Sequence, residues 1–374
     1  MVVDDSVVVR GLLARWVDQE PDLRVVASVH TGSEAVDKLD RVNPDVVILD
    51  IEMPEMDGLT ALPLLLSKKR DLVVIMVSAL TRRHAEASLK ALALGASDYI
   101  SKPQSNRDIT TSTTFRQELI EKIRQIGGRR RHGHKPASVP GPALARPATT
   151  VVLDPRSRVN SAINVPGPVR KNPLRAPAAL APRALVIGAS TGGPQALTTV
   201  MFELRASIEH VPVLIVQHMP PTFTTIFAEH LARACERRAR EPEDGERVVD
   251  GTVYVAPGGR HMRVEREGGH AVVRLDDGPA INFCKPAVDP LFTSACRVWG
   301  GATLAVILTG MGHDGTEGAR AVAAAGGTVI AQDEATSVVW GMPGSAVHAG
   351  VCSAVLPLPE IAPRVARLFA GEAA

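Results

Sequence analysis

The sequence predicts two α/β domains in series, joined by a long basic linker. Three observations carry this. The chain has 374 residues, more than one ordinary core fills. Both halves alternate short apolar runs, of the kind buried parallel strands require, with amphipathic stretches. Between them, residues 127–183 hold 11 Lys/Arg against the single acid Asp154, 10 of the 28 prolines and no aromatic residue. Such a tract cannot bury enough apolar surface to offset its ordering entropy. The boundaries are therefore 1–126, 127–183 and 184–374.

In the first block, Val2-Val3 is a strand fragment ending at Asp4-Asp5, and residues 6–19 place Leu12, Leu13, Trp16 and Val17 at helical spacing. Val25–Val29 reads as a strand, and Gly32 opens a helix to Val42. Pro44 precedes the continuous run Val46–Leu49, which ends in Asp50; Leu72–Val77 is a second such run, ending at Ser78. Asp98-Tyr99-Ile100 leads to Ser101-Lys102-Pro103, and Arg107–Ile126 closes the block as a helix. Five strand–helix alternations make a doubly wound domain, in which functional groups gather past the carboxyl ends of the strands. Asp4, Asp5, Asp50, Ser78 and Lys102 all sit there. Three carboxylates at one edge repel each other unless a cation joins them, and Mg²⁺ is the usual hard cation for that task. Singly, each acid also reads as a strand-end or helix N-cap residue.

Val-Val-Asp-Asp-Ser, Asp50-Ile-Glu-Met-Pro-Glu-Met-Asp-Gly58, Val77-Ser78-Ala79 and Lys102-Pro103 together resemble a response-regulator receiver domain, a flavodoxin-like fold. The resemblance implies that Asp50 is the phospho-acceptor and that Asp5, with the Glu52 carbonyl, completes the Mg²⁺ ligands, Asp4 helping to place the ion. It also implies that Ser78 and Lys102 hold the phosphoryl group and that Tyr99 is the switch aromatic. The family has four or five apolar residues before its acid pair, where this chain has Met1-Val2-Val3, so either the start site is called too late or a weakened first strand is expected.

The second block restarts with the apolar run Ala184–Ile187, which enters Gly188-Ala-Ser190-Thr-Gly192-Gly-Pro194. A strand, a glycine turn and a helix can cradle an anion or present a nucleophile beside free N–H groups. The G-x-S-x-G pattern favours the second use. G-x-G-x-x-G is absent, and so is an acid at the end of the next strand, which weakens a dinucleotide reading. That next strand, Val213–Val216, ends in Gln217-His218, and a histidine one βα unit from a serine is a candidate general base. Leu304–Leu308 runs into Thr309-Gly-Met-Gly-His-Asp314-Gly315. Asp314 reads either as the N-cap of the following helix or as the acid that fixes the tautomer of a base. Ser190, Asp314 and His348, in the chain order of α/β-hydrolases, form a rival triad.

Ile-Gly-Ala-Ser-Thr-Gly-Gly-Pro-Gln-Ala-Leu, Gln-His-Met-Pro, Val255-Ala-Pro-Gly-Gly, Val288-Asp-Pro-Leu-Phe292, Leu-Thr-Gly-Met-Gly-His-Asp-Gly and Gln332-Asp-Glu-Ala-Thr-Ser resemble the catalytic domain of chemotaxis protein-glutamate methylesterases. The resemblance implies an open αβα three-layer, largely parallel sheet. In it Ser190 is the nucleophile, His218 the base, Asp314 the orienting acid, Thr191 a second hydroxyl and the Met311 N–H an oxyanion donor. The implied reaction is phosphorylation-activated hydrolysis of glutamate methyl esters, with glutamine deamidation as a side activity and no cofactor for the hydrolysis itself. The implied partners are methyl-accepting chemoreceptor helices and a histidine kinase, for a monomer without nucleic-acid ligand.

Composition is consistent with this. A hydrophobic share of 45% and a charged share of 22% are those of a soluble globular protein, and no apolar run reaches the ~18 residues of a membrane span. No secretory signal is visible at Met1, so a cytoplasmic protein without membrane insertion is expected. The net charge is +2; the linker carries +10, leaving −8 for the rest, so the folded parts are acidic and the basic global charge says little about nucleic acid. No helix-turn-helix follows residue 184. Cys235, Cys284, Cys296 and Cys352 show no C-x-x-C spacing and read as reduced, mostly buried thiols. Arg260-His261 reads as a loop that either meets an acidic partner or is simply solvated, and a phosphorylation-gated binding module is the alternative to an enzyme.

Overall fold

A computed structural model of the chain describes residues 1–103, 112–128 and 174–372. Most of the linker, with His132, His134 and Arg129–Arg131, lies outside the described residues, as do residues 107–111 of the expected closing helix. No described helix is long and apolar enough to cross a membrane.

The first domain is a five-stranded parallel sheet of β1 (Val2–Val3), β2 (Ser28–Val29), β3 (Val46–Asp50), β4 (Val73–Ser78) and β5 (Asp98–Ser101), in the order β2-β1-β3-β4-β5. β3 and β4 are the continuous apolar runs of the sequence, covered by helices on both faces. Helices Val7–Asp18, Gly32–Val42, Gly58–Lys68 and Arg82–Ala93 each start on a side-chain cap, from Ser6, Thr31, Asp57 and Thr81, which satisfies an otherwise orphaned N–H. The closing helix runs Thr113–Gly128 and sets Phe115 edge-on against Trp16, 6.0 Å between centroids. The expected strand Val25–Val29 shortens to Ser28–Val29. β2 pairs only with β1, whose two residues offer two register positions, and the Val25 N–H turns instead to Asp18 Oδ1 at 2.8 Å.

The second domain is a seven-stranded parallel sheet with a hairpin at its edge. Its strands are β6 (Ala184–Ala189), β7 (Val213–Gln217), β8 (Arg238–Arg240), β9 (Thr252–Val255), β12 (Thr303–Ile307), β13 (Thr328–Gln332) and β14 (Ala354–Leu356), in the order β14-β13-β12-β6-β7-β9-β8. β10 (His261–Glu267) and β11 (His270–Asp276) form the antiparallel hairpin, which turns at Gly268-Gly269. Helices Gly193–Leu204, Phe223–Cys235 and Leu358–Phe369 pack on one face. Helices Val288–Trp299, Thr316–Ala324 and Gly341–His348 pack on the other.

Both sheets grow outward in two directions from their first strand: β1 lies between β2 and β3, and β6 between β7 and β12. Chain direction diverges there, opening a crevice at the carboxyl edge. Asp4 and Asp50 flank the first crevice; Ser190, His218 and the loop carrying Asp314 flank the second.

The two domains touch. Tyr99 at the edge of the first stacks on Phe223 of the second, centroids 5.0 Å apart and planes within 6°. Gln195 Nε2 donates to the carbonyls of Leu92 and Ala96 at 3.1 and 2.8 Å, and Arg82 pairs with Glu229 at 2.9 Å. A cleft of about 480 Å³ opens along this seam, with Gly95, Ala96 and Ile126 on one wall and Gly192, Thr309 and Val338 on the other.

Candidate functional sites

At the first crevice, carboxylate oxygens of Asp4, Asp5 and Asp50 lie within 4.8 Å of one another. Lys102 Nζ stands between Asp4 Oδ2 and Asp50 Oδ1, 2.9 Å from each. Burial pushes the Asp50 carboxyl up to about 6; Lys102 opposes the rise and Asp4 adds to it. Burial also opposes charge on Lys102, but Asp50 and Asp4 outweigh it and raise its pKa. Ser78 is buried and its Oγ accepts from Ser88 Oγ at 2.9 Å. Gly58 follows so closely that a Cβ there would stand 2.0 Å from the Asp50 carbonyl oxygen. The Glu52 side chain turns outward to His84 (3.3 Å) and Arg83 (3.8 Å). Tyr99 is buried, its ring held in the domain seam by Phe223.

At the second crevice, Ser190 and His218 follow directly on β6 and β7, which are paired through Ala189 and Gln217. The turn is fixed by backbone: the Ser190 N–H donates to the Thr309 carbonyl at 3.0 Å, and the Ser190 carbonyl accepts from Gly193 N–H (2.7 Å) and Gln217 Nε2 (2.9 Å). Gly192 sits at φ +72°, a left-handed conformation that also leaves no room for a Cβ beside Val338. A Cβ at Gly310 would come within 2.9 Å of Ser190 Cβ, so this glycine lets the loop bearing Met311 press against the serine. Among the described residues the Met311 N–H makes no hydrogen bond. Thr191 is buried beside Ser190 and its carbonyl accepts from Thr309 Oγ1 at 2.9 Å.

His218 Nε2–H donates to Asp314 Oδ2 at 2.8 Å. The carboxylate also accepts from the N–H groups of Val288 (2.6 Å), Asp289 (3.2 Å) and Gly315 (2.9 Å). Asp314 is thus both an N-terminal cap and a partner of the histidine, and the helix it caps is Val288–Trp299, not the one that follows it in sequence. Burial disfavours its charge, but the His218 hydrogen bond and these N–H donors hold its pKa low. Burial likewise opposes charge on His218, yet the bonds to Asp314 and Cys284 push it up to about 10. Nδ1 of the ring faces Cys284 Sγ at 3.3 Å. The structure therefore joins His218 to Asp314 and sets Ser190 on the neighbouring strand end; among the described residues no hydrogen bond links Ser190 Oγ to the ring.

Two readings change. His348 Nδ1 meets the Gly344 carbonyl at 2.6 Å and the ring packs edge-on against Trp340; Asp314 is held elsewhere, so the rival triad does not form. His261 is buried between the Pro279 carbonyl and the Ala287 N–H, and Arg260 pairs with Asp277, so that loop is structural. Cys284 is the residue the sequence reading passed over. Its only sequence signal is its place four residues before Val288-Asp289, whose N–H groups hold Asp314.

A doubly wound domain with an acidic pocket, leaning on a parallel-sheet domain with Ser, His and Asp at its switch point, defines a response regulator with a hydrolase output. The family models agree: residues 1–114 match the response regulator receiver domain and residues 185–365 the CheB methylesterase. Among its relatives is the protein-glutamate methylesterase/protein-glutamine glutaminase of group 2 operon from Bradyrhizobium diazoefficiens, 57% identical across 100% of this chain and 94% of the relative. A second, from Paramagnetospirillum magneticum, is 53% identical across 99% of this chain and 96% of the relative. The Thermotoga maritima CheB methylesterase catalytic domain, a crystal structure, is 42% identical, covering 50% of this chain and 100% of that one with a TM-score of 0.49. The chain belongs to the protein-glutamate methylesterase/protein-glutamine glutaminase family.

Proposed function

We propose that the protein demethylates glutamate methyl esters on chemoreceptor helices, and deamidates receptor glutamines, under control of phosphorylation at Asp50. The observation that carries the esterase reading is the His218–Asp314 pair beside Ser190 at one sheet edge. Nε2 carries the proton that it donates to Asp314, so in the neutral ring, the form that acts as base, Nδ1 holds the lone pair that takes the proton of Ser190. Ser190 Oγ attacks the ester carbonyl, and the oxyanion meets the Met311 N–H. The imidazolium then gives its proton to departing methanol. Water, activated by the same nitrogen, cleaves the acyl-serine to free glutamate. Thr191 lines the site as a second hydroxyl.

The receiver pocket supports the regulatory half. Clustered hard oxygen donors on Asp4, Asp5 and Asp50 suit Mg²⁺, which supplies charge neutralisation for phosphoryl transfer when bound; the Glu52 carbonyl is the fourth donor proposed. Asp50 accepts the phosphoryl group from a histidine kinase, and Lys102 and Ser78 take its oxygens. Domain docking against the mouth of the Ser190 crevice keeps substrate out until then. Ser78 releases Ser88 when it turns to the phosphoryl group, and Ser88 belongs to the helix Arg82–Ala93, which with the turn after it holds Gln195 and Glu229. The chain acts in the cytoplasm as a monomer.

Methanol release from a methylated receptor fragment tests this, with the full chain, with a small phosphodonor and Mg²⁺, and with Ser190→Ala. Activity that rises with phosphodonor and vanishes in Ser190→Ala is expected. Undiminished release by Ser190→Ala removes the esterase reading; release indifferent to phosphodonor removes the gate.

A further inference from the structure

We propose that Cys284 and His218 form a binding site for a thiophilic divalent cation of the zinc class, and that its occupancy shuts down the esterase. The inhibitory half rests on the reading of His218 as general base; the binding half does not.

The geometry already has the spacing of a ligand pair. Cys284 Sγ and His218 Nδ1 are 3.3 Å apart. Two ligands about 2.3 and 2.0 Å from a tetrahedral zinc lie about 3.5 Å from each other, so a cation enters with side-chain shifts of a few tenths of an ångström. The other ring nitrogen donates to Asp314 Oδ2 at 2.8 Å, and Asp314 is itself pinned by three backbone N–H groups. A carboxylate behind a metal-bound imidazole fixes the ring and raises its basicity. One donor atom from each of the three residues lies within 4.8 Å of the other two, so nothing has to be recruited from afar. Cys284 and His218 are part-buried while Asp314 is buried, so entry of the cation, and of water to complete the tetrahedron, is expected from the thiol–imidazole side. Sulfur and nitrogen donors select zinc-class ions over Mg²⁺, unlike the all-oxygen receiver pocket.

Binding exchanges protons for the ion: the Cys284 S–H proton and, from the charged ring, the His218 Nδ1 proton leave to solvent, and the cation bridges the thiolate and the neutral ring. The Nδ1 lone pair is then occupied, and it is the one that must take the proton of Ser190. A chain that needs this base for every turnover becomes responsive to free zinc-class metal.

The test uses the reduced full-length protein with excess Mg²⁺ to fill the receiver carboxylates. Co²⁺ titration should develop a near-ultraviolet thiolate-to-metal charge-transfer band saturating at one equivalent. The band should vanish in Cys284→Ser and in His218→Ala and persist in Cys296→Ser, whose thiol lies elsewhere and bonds the Thr293 carbonyl. In the methanol-release assay micromolar Zn²⁺ should slow the wild type at least ten-fold, reversibly with a chelator, and Cys284→Ser less than two-fold relative to its own metal-free rate. Absence of the band in wild type, its persistence in Cys284→Ser, or equal zinc inhibition of both proteins would overturn the proposal. A Cys284-dependent band in a protein that releases no methanol would uphold the site and count against the esterase reading. Should Cys284→Ser fold poorly, carboxamidomethylation of the native thiol, located by peptide mapping, gives the same comparison.

Discussion

Replacing Asp314 by alanine should cost the protein both its activity and a large part of its second domain's stability, because one carboxylate serves two structures. It is fully buried and accepts from Val288, Asp289 and Gly315 N–H groups as well as from His218. Loss of an N-cap costs about 1 kcal/mol, and each buried N–H left without an acceptor about 1–3 kcal/mol. Val288 and Gly315 are both buried, so with some water entering the vacated space the sum is about 3–5 kcal/mol. Asp314→Asn keeps the volume and one oxygen, and should lose about half as much. Its amide no longer holds the ring in the Nε2–H tautomer, so kcat should still fall by roughly 10⁴-fold, as in other triads. Urea unfolding followed through Trp299 and Trp340 reads the stability, with Trp16 in a Phe background so that the first domain does not report. At a slope of about 2 kcal/mol/M, the alanine variant's midpoint moves down by about 2 M. Ser190→Ala, which removes one hydroxyl from a turn fixed by backbone, should lose the same activity with its midpoint unmoved. An alanine variant at 314 that unfolds at the wild-type midpoint would refute the capping argument; an asparagine variant of wild-type kcat would refute the orienting one.

Asp50→Asn should stabilise the metal-free receiver. The folded carboxyl titrates at about 6 against an ordinary 3.8, so its contribution is fully present below about pH 4 and is lost as pH rises through about 6, worth up to roughly 3 kcal/mol at neutral pH. The gap between variant and wild type should therefore open with rising pH in urea titrations and shrink on adding Mg²⁺. Gln195→Ala strips two carbonyls of their cross-domain donor and should raise methanol release by the unphosphorylated chain several-fold, whereas Arg82→Ala, which breaks an exposed pair, should change it little; equal rates for Gln195→Ala and wild type would argue against the gate. Cys284→Ala removes one of the two contacts that raise the His218 pKa, so the acid limb of kcat/KM should move to lower pH, and an unmoved limb would mean the thiol does not influence the base.

The parts of the fold legible in the sequence are those set locally. β3, β4, β6, β7 and β12 are continuous apolar runs because they are buried on both faces, and each ends where its polar residue marks the carboxyl edge. That makes the place of Asp50, Ser78, Ser190 and His218 at the carboxyl edge legible in the sequence. The length of β2 was not, since it depends on how much of β1 is available to pair. Asp314 reads as the cap of the helix that follows it, but the helix it caps begins 26 residues earlier, a long-range fact that no window around the residue contains. Cys284 escaped for a related reason. Cysteine spacing speaks to disulfides and metal knuckles, while this thiol meets a ring 66 residues away through a loop whose Asn282 and Phe283 both adopt left-handed backbone, φ 51° and 65°.

Under the proposed gate, the magnitudes at the seam set what one phosphoryl group would have to overcome. The stack of Tyr99 on Phe223 is worth about 1 kcal/mol beyond its burial, the two Gln195 bonds about 1 kcal/mol each, and the Arg82–Glu229 pair less than 1 kcal/mol. Against the ordering of the groups involved, the surplus for the docked state is of the order of 2–3 kcal/mol, a population ratio of roughly 30–150. A latch of that size closes nearly completely at rest and yields to one event of comparable energy. In the proposed gate phosphorylation would act on it from within: turning Ser78 toward the phosphoryl group would take from the buried Ser88 hydroxyl the acceptor it has among the described residues, and an unsatisfied buried hydroxyl costs about 1–3 kcal/mol. A shift of the helix that carries Ser88 would recover that energy, and its far end and the turn beyond it hold Gln195. Gln195 lies on the first turn of the helix Gly193–Leu204, five residues from Ser190. The docking contact and the serine turn are therefore neighbours in the chain, so the proposed gate would act both as a steric block and as a restraint on that turn.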